Sequence, residues 1–243
     1  MNTTAVQKVK QEIQGKYDRE VAKYDGIFEN RAGRHFIKRK LEKARSFGYI
    51  QSGQKVLEVG SATGVFSFEY EKFNIQLTSI DLSPENIKWA SNKGKMMNSN
   101  IMFKEADVED LPFEDNSFDG VLSFSTLRYV PDIEKALTEI YRVLRPGGYI
   151  ILDFPNKKCP WFGGMKKKVI GREHIFDNHY YVEEVKNMVA RAGFRDIEIR
   201  RGLFVPKGTP DRLFPLFRVA EFFAERLPVI NDYSAIIFIG GRK

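Results

Sequence analysis

The chain has 243 residues, of which 42% are hydrophobic and 29% are charged, and its formal net charge is +7. This length fits one ordinary α/β domain or two small ones, and the composition excludes disordered and collagen-like proteins. No apolar run approaches the roughly 18 residues of a transmembrane helix, and the polar N-terminal residues contain no segment typical of a secretory signal. A single cysteine, Cys159, excludes an internal disulfide and a cysteine-based metal site. We therefore expect a cytoplasmic protein without a metal site.

Apolar residues at helical spacing predict two N-terminal helices, at residues 4–24 and 33–48. Strands and helices then alternate. Five short strands are predicted at residues 55–60, 75–81, 100–105, 118–124 and 149–154. Three helices are predicted between these strands. The first spans residues 64–73, the second begins at Pro84 with Ser83 as its N-cap, and the third spans 132–145 and is stopped by Pro-Gly-Gly. Four elements follow an irregular segment: a helix at 181–192, a strand at 195–200, a helix at 211–227 and a strand at 235–239. This alternation predicts a doubly wound α/β fold, with helices on both faces of a parallel sheet.

The turn after the first predicted strand is the strongest local signal. Residues 58–64 read E-V-G-S-A-T-G, between a strand and a helix. Glycines at such a turn let a ligand approach the backbone closely and leave helix N–H groups facing it. The spacing of Gly60 and Gly64 fits neither the dinucleotide fingerprint nor the P-loop. A plain strand–helix turn remains an alternative.

Polar residues also follow the next three strands. Asp81 ends the second strand, 23 positions after Glu58, where an acid suits the hydroxyls of a ribose. The alternative for Asp81 is local turn chemistry with Ser83 and Pro84. Asp107 and the adjoining Val108 follow the third strand, in a segment that otherwise reads as a polar loop, and Ser123 ends the fourth.

Residues 55–154 resemble the class I S-adenosylmethionine-dependent methyltransferases, particularly the group that includes ubiquinone, menaquinone and sugar methyltransferases. Four stretches carry the resemblance in order: V-L-E-V-G-S-A-T-G, S-I-D-L-S-P-E-N, A-D-V-E-D-L-P-F-E-D-N-S-F-D-G-V and R-V-L-R-P-G-G. The resemblance implies one Rossmann-like domain over residues 1–243, with a seven-stranded, mostly parallel sheet whose last strand is antiparallel. Residues 1–50 would form cap helices, 51–155 the cofactor-binding core, and 156–180 with 203–227 the acceptor site.

The family pattern also assigns roles to individual residues. Gly60 and Gly64 would pack against the methionyl part of S-adenosylmethionine, and Asp81 would accept hydrogen bonds from its ribose. Asp107 would accept from the adenine amino group. The residues implied to bind this cofactor and its product S-adenosylhomocysteine are Tyr24, Glu58, Gly60, Ser61, Gly64, Asp81, Leu82, Asp107, Val108 and Ser123. Relatives often carry His-Val after the fourth strand, but this chain has Arg128-Tyr129-Val130 there, so no base is carried over at that place.

The sequence contains no catalytic motif for the acceptor side. His174 and His179 lie in the irregular segment and are candidate bases near neutral pH, with ordinary surface histidines as the alternative. Residues 156–172 are basic and contain no acid. They either recognise a phosphate or carboxylate of the acceptor or form a solvated loop.

The predicted helix at 211–227 has a broad apolar face formed by Leu213, Leu216, Phe217, Ala220, Phe223, Ala224 and Leu227. This face either packs on the sheet or the acceptor pocket, or lies on a membrane, which the neighbouring arginines favour.

Three hypotheses follow from these observations. The first is a methyltransferase for a small-molecule acceptor such as a sugar or quinone. The second is a peripherally membrane-associated enzyme whose acceptor is anionic or lipid-linked. The third is a non-catalytic cofactor-binding regulatory or RNA-binding protein. A nucleic-acid partner ranks lower because no RNA-binding module is recognisable, and no sequence feature defines an oligomeric state.

Overall fold

The computed structural model describes residues 3–160 and 176–243 of the protein. Two helices precede the sheet, α1 (Thr3–Tyr24) and α2 (Arg31–Ser46), with a 3₁₀ turn between them. Asn30 is the N-cap of α2, because its side-chain oxygen accepts a hydrogen bond from the backbone N–H of Gly33. None of the described helices has the length and apolar character that spanning a membrane requires.

The described residues form one seven-stranded sheet. Its strands are β1 (Lys55–Val59), β2 (Gln76–Asp81), β3 (Met102–Glu105), β4 (Phe118–Ser123), β5 (Leu144–Pro155), β6 (Arg195–Gly202) and β7 (Ile236–Arg242). The strand order is β3-β2-β1-β4-β5-β7-β6, and only β7 runs antiparallel to its neighbours. The predicted fold is therefore confirmed. The order reverses between β1 and β4, and in such sheets ligands bind outside the carboxyl ends of the strands at the reversal.

The described residues form six further helices: α3 (Ser67–Glu71), α4 (Pro84–Met97), α5 (Ile133–Val143), α6 (Val182–Arg191), α7 (Phe214–Ala224) and α8 (Pro228–Asn231). Successive residues of a strand point to opposite faces. Val121 of β4 accordingly joins the core under α5 and α6, whereas Leu122 joins the core under α2 and α3. Both side chains are fully buried, which explains the continuous apolar runs in the sequence.

Three predicted helices have wrong bounds, and the one expected at 211–227 is Phe214–Ala224. The helix expected to run to residue 145 ends at Val143, and Pro-Gly-Gly lies inside β5, which begins at Leu144. Leu144 pairs with Phe118 of β4, and a register shift follows before Gly120. The helix expected at 64–73 is reduced to Ser67–Glu71, because Gly64 adopts the left-handed φ of +83°, which a right-handed helix excludes.

Candidate active site

A cleft lies at the carboxyl ends of β1 to β4, where the strand order reverses. The turn after β1, the end of β2 and the loop after β3 form its floor, and α1 forms its roof through Lys10, Ile13, Gln14 and Tyr17. The enclosed part measures only about 100 Å³, whereas ligand pockets usually measure about 300–1,000 Å³. The cleft in this conformation is therefore smaller than a typical pocket for a ligand of cofactor size.

The turn after β1 brings its backbone close to neighbouring segments. The N–H groups of Gly60 and Ser61 both donate to the carbonyl of Ile80, at 2.8 and 2.9 Å. Gly60 has a φ of +80°, and a Cβ atom there would lie 2.0 Å from Oγ1 of Thr126. Only glycine fits this position, and its bare backbone faces the cleft.

Asp81 is held at the end of β2 by three hydrogen bonds. Its Oδ2 accepts from the N–H of Ala62 at 2.8 Å, and its Oδ1 accepts from Ser83 N at 3.0 Å and from Asn86 Nδ2 at 3.2 Å. Burial raises the pKa of Asp81 above its ordinary value, while these hydrogen bonds act in the opposite direction. The result is a rigid carboxylate on the cleft wall, suited to accepting bonds from a pair of vicinal hydroxyls.

Glu58 lies beneath this turn and does not line the cleft. Its Oε2 accepts hydrogen bonds from the hydroxyls of Ser67 and Ser79, the second at 2.7 Å. The residue is 3% exposed, and burial raises its pKa to about 7 in spite of these bonds. Glu58 therefore ties β1, β2 and α3 together below the ligand-facing residues.

The loop after β3 adds a second acid and apolar walls. Oδ1 of Asp107 accepts from the N–H of Glu109 at 2.9 Å, while Oδ2 lies 2.5 Å from the ammonium of Lys10. Lys10 also pairs with Glu109 at 2.7 Å. Leu82 and Val108 line the cleft beside this loop and offer the apolar surface that a flat ring requires.

Six of the ten residues implied by the sequence come together at the cleft: Tyr24, Gly60, Asp81, Leu82, Asp107 and Val108. Glu58, Ser61, Gly64 and Ser123 do not line it. Ser123 is buried, and its hydroxyl donates to the carbonyl of Val59, which does line the cleft. The α1 residues that line the cleft were not predicted as site residues: Lys10, Ile13, Gln14 and Tyr17. The sequence signal that could have indicated them is their helical spacing, which places them on one face of α1.

The structure describes only one of the two histidines predicted as candidate bases. His174 lies outside the described residues. His179 does not line the cleft; its Nε2 lies 3.2 Å from the guanidinium of Arg128 and 3.9 Å from Asp177. Across residues 3–160 and 176–243, no group of three His, Cys, Asp or Glu side chains is arranged to hold a metal ion.

This arrangement defines a class of proteins, the doubly wound α/β enzymes that bind a nucleoside-containing cofactor at the sheet's switch point. Residues 57–152 match the family model of the methyltransferase domain. The ubiquinone/menaquinone biosynthesis C-methyltransferase of Rickettsia felis is 33% identical over 175 residues, which cover 60% of this chain and 70% of the relative. The ubiquinone biosynthesis O-methyltransferase of Xanthomonas oryzae is 31% identical over 155 residues, which cover 61% and 64%.

A solved structure shares the fold. Phosphoethanolamine N-methyltransferase 2 of Haemonchus contortus, in complex with S-adenosyl-L-methionine, superposes with a TM-score of 0.66 at 21% identity, over 93% of this chain and 57% of that one. The chain belongs to the class I S-adenosylmethionine-dependent methyltransferases. It is an enzyme that uses S-adenosylmethionine as its methyl donor and releases S-adenosylhomocysteine. These relatives give no support to a non-catalytic regulatory or RNA-binding protein.

Proposed function

We propose that this enzyme methylates a small-molecule metabolite and that the cleft over β1 to β4 holds S-adenosylmethionine. The observation that carries the proposal is the rigid Asp81 carboxylate beside the bare Gly60 turn. The cleft also offers a second acid and apolar side walls, so its residues fit a molecule with a ribose, an aromatic base and a charged tail. When bound, the cofactor supplies an electrophilic methyl group on a sulfonium.

The chain's own residues then divide the work of holding the cofactor. Asp81 accepts from the two ribose hydroxyls, and Asp107 accepts from the adenine amino group once Lys10 has withdrawn. Leu82 and Val108 enclose the adenine ring. Tyr24, the last residue of α1, covers the methionyl side and helps to exclude water from the reacting atoms.

The chain forms a single methyltransferase domain in this proposal. Residues 1–50 are the cap, of which α1 roofs the cleft, and residues 51–155 hold the cofactor. Residues 156–180 and 203–227 are assigned to the acceptor site, although 161–175, which include most of the basic segment 156–172 and His174, lie outside the described residues. The relatives that act in ubiquinone and menaquinone biosynthesis favour an acceptor of the quinol type, and a sugar remains the other candidate.

The reaction is tested by supplying isotopically labelled S-adenosylmethionine with four separate cell fractions: small polar metabolites, lipids, RNA and protein. Labelled product in the metabolite or lipid fraction supports the proposal, and at a donor concentration below the wild-type Kd the labelling should fall strongly with Asp81→Asn. Asp110→Asn removes a carboxylate from an exposed position in the same region and is the matched control. Label confined to RNA or protein would contradict a small-molecule acceptor.

We also propose that the enzyme contacts a membrane through the surface of α7 and α8. α7 packs inward through Phe214 and Glu221, which are 6% and 4% exposed. Large apolar side chains are exposed on the remaining surface: Leu213, Leu216, Val219, Phe222, Phe223, Leu227, Val229, Ile230 and Tyr233. We call this set the α7–α8 surface. Such a concentration of exposed apolar residues is typical of a contact site.

The charges around the α7–α8 surface favour an anionic membrane as its partner. Arg212, Arg218 and Arg226 are exposed on or beside α7. A groove between α2 and α7 is lined by Arg31 and Arg34 of α2 together with Arg218 and Arg226. An apolar patch bordered by arginines suits the boundary between anionic headgroups and acyl chains. A lipid-linked acceptor could then be reached without leaving the bilayer.

Flotation with vesicles of anionic phospholipid tests this contact. The wild type should float with the vesicles, and the double variant Phe222→Ser, Phe223→Ser should not. Met96→Ser, Met97→Ser is the matched control, since both methionines are exposed on α4, away from the α7–α8 surface. Absence of flotation by the wild type, or equal flotation by both double variants, would contradict membrane contact through this surface.

A further inference from the structure

The loop after β6 places a lysine against the aromatic residues at the start of α2. The ammonium nitrogen of Lys207 lies 4.3 Å from the ring centroid of Phe36 and 4.8 Å from that of Phe28. The carbonyl of Lys207 accepts a hydrogen bond from Nδ2 of Asn30 at 3.1 Å, which fixes the loop on the cap. The side chain is half-buried, so its amino group is held by ring faces rather than extended into solvent.

The nearest charges leave this amino group without a carboxylate of its own. Lys40 is fully buried and forms an ion pair with Asp153, and Arg128 forms one with Asp177. Within the described part of the chain, Lys207 has no ion pair with any carboxylate. Lys40 and Lys207 both lie over the ring of Phe36, so their nitrogens are at most about 9 Å apart.

These surroundings disfavour a positive charge on Lys207. Burial lowers its pKa to about 7, and the positive charges of Lys40 and Arg128 act in the same direction, while Asp153 opposes them. A neutral amine at neutral pH can accept a proton, and a nearby anion would restore its charge.

This group of residues adjoins the cleft through Ser125 and Tyr129. Ser125 lines the cleft, accepts a hydrogen bond from Lys40 at 2.6 Å, and donates its backbone N–H to Asp153 at 2.7 Å. Tyr129 also lines the cleft and contacts the guanidinium of Arg128. Lys207 does not itself line the cleft, but Lys40, which lies over the same Phe36 ring, connects it to Ser125 after β4 and to Asp153 of β5.

We propose that Lys207 binds an oxygen atom of the methyl acceptor that carries negative charge or acquires it on binding. This inference rests on the proposed function and narrows the acceptor to molecules with an ionisable oxygen. For a weakly acidic hydroxyl, the O–H bond breaks, its electron pair stays on oxygen, and the proton forms an N–H bond with the amine of Lys207. The oxygen then becomes the nucleophile, or passes its charge to a conjugated carbon, and the new ammonium later releases the proton to water. For a permanent anion, Lys207 takes a proton from water, the hydroxide left behind is released to bulk solvent, and the ammonium holds the anion as an ion pair.

The test uses 4-nitrophenol, whose ionised form has its own absorption band, together with saturating S-adenosylhomocysteine. The wild type should lower the apparent pKa of the bound probe by about one unit, giving about tenfold more phenolate relative to phenol at a fixed acidic pH. Lys207→Met should abolish this shift, while Lys207→Arg should still bind phenolate through its permanent charge. Lys72→Met is the matched control, because Lys72 is 66% exposed and lies far from the loop in the chain.

Benzoate separates the two sources of negative charge. Displacement of the bound phenolate by benzoate indicates that Lys207 also accepts permanent anions, and failure to displace it restricts the site to ionisable hydroxyls. An unshifted probe with the wild type, or the same shift with Lys207→Met, would overturn the proposal. Binding of S-adenosylhomocysteine is measured in every variant, so a misfolded variant or a failure of the cofactor assignment is recognised separately.

Discussion

The ammonium of Lys10 on α1 lies 2.5 Å from Oδ2 of Asp107, which follows β3. These residues are 97 positions apart, and their contact closes the roof of the cleft onto its floor. Burial alone would lower the pKa of Lys10, but the carboxylates of Asp107 and Glu109 together raise it. Lys10 is therefore charged. It donates to Asp107, the carboxylate that we propose accepts a hydrogen bond from the adenine amino group.

Removing this contact should speed entry of the cofactor. In Lys10→Met the bridge no longer has to break, so we expect S-adenosylhomocysteine to associate several-fold faster, as measured by stopped-flow fluorescence. Lys8→Met removes the same charge from an exposed position of α1 and should leave the rate unchanged. An unchanged or slower association rate in Lys10→Met would mean that the bridge does not gate the cleft.

The turn after β1 can be tested with two glycines of nearly the same backbone conformation. Gly53 and Gly60 have φ values of +83° and +80°. A Cβ atom at Gly53 meets no heavy atom within 4 Å, whereas at Gly60 it would overlap Thr126. Gly53→Ala should cost only the backbone strain, about 1–2 kcal/mol, and leave cofactor affinity intact.

Gly60→Ala should carry the same strain and also displace Thr126 from the cleft wall. We expect its affinity for S-adenosylhomocysteine to fall at least about tenfold, which corresponds to roughly 1.4 kcal/mol. Chemical denaturation and calorimetry of both variants separate the effect on stability from the effect on binding. Equal affinities in the two variants would show that the Gly60 turn does not shape the binding site.

The buried Glu58 makes stability depend on pH in an uncommon direction. Its pKa is about 7 in the folded protein, against an ordinary value of 4.5. Between these values the folded state keeps the proton that the unfolded state has lost, so the free energy of unfolding falls as the pH rises. The full contribution is on the order of 3 kcal/mol. Above about pH 7 it no longer changes.

Urea unfolding at a series of pH values from 4.5 to 8 measures this dependence. Glu58→Gln should flatten the decline, because an amide oxygen still accepts from Ser67 and Ser79 but does not titrate. Part of the slope should remain, since burial also raises the pKa of Asp81. Glu85→Gln changes an exposed glutamate and should retain the wild-type slope. A wild-type slope in Glu58→Gln would contradict this account of Glu58.

The parts of the fold that were predictable from sequence are those governed by local physics. Strands β1, β4 and β5 are buried on both faces and read as apolar runs, and Ser83 caps α4 as its position suggested. Gly60, Asp81 and Asp107 stand at or just after the ends of β1, β2 and β3. The family pattern therefore predicted that they lie in one cleft, which they line in the structure. Polar residues at strand ends can be predicted because the buried strands before them are recognisable as apolar runs.

The orientation of α7 depends on contacts that periodicity does not record. Leu216 and Phe223 belong to the predicted apolar face but are 67% and 59% exposed, while Glu221 is buried. Glu221 is buried because it pairs with His35, 186 positions earlier, and accepts the backbone N–H of Phe204 at 2.8 Å. A charged side chain with several such partners can replace an apolar one at the contact.

The proposed role of Asp81 in holding the cofactor at the end of β2 is tested most directly by calorimetric titration with S-adenosylmethionine and S-adenosylhomocysteine. The wild type should bind both ligands, and Asp81→Asn should bind them roughly 10- to 100-fold more weakly, as expected for loss of charged hydrogen bonds. Asp110→Asn should match the wild type. Wild-type affinity in a folded Asp81→Asn variant would contradict the assignment of the cleft.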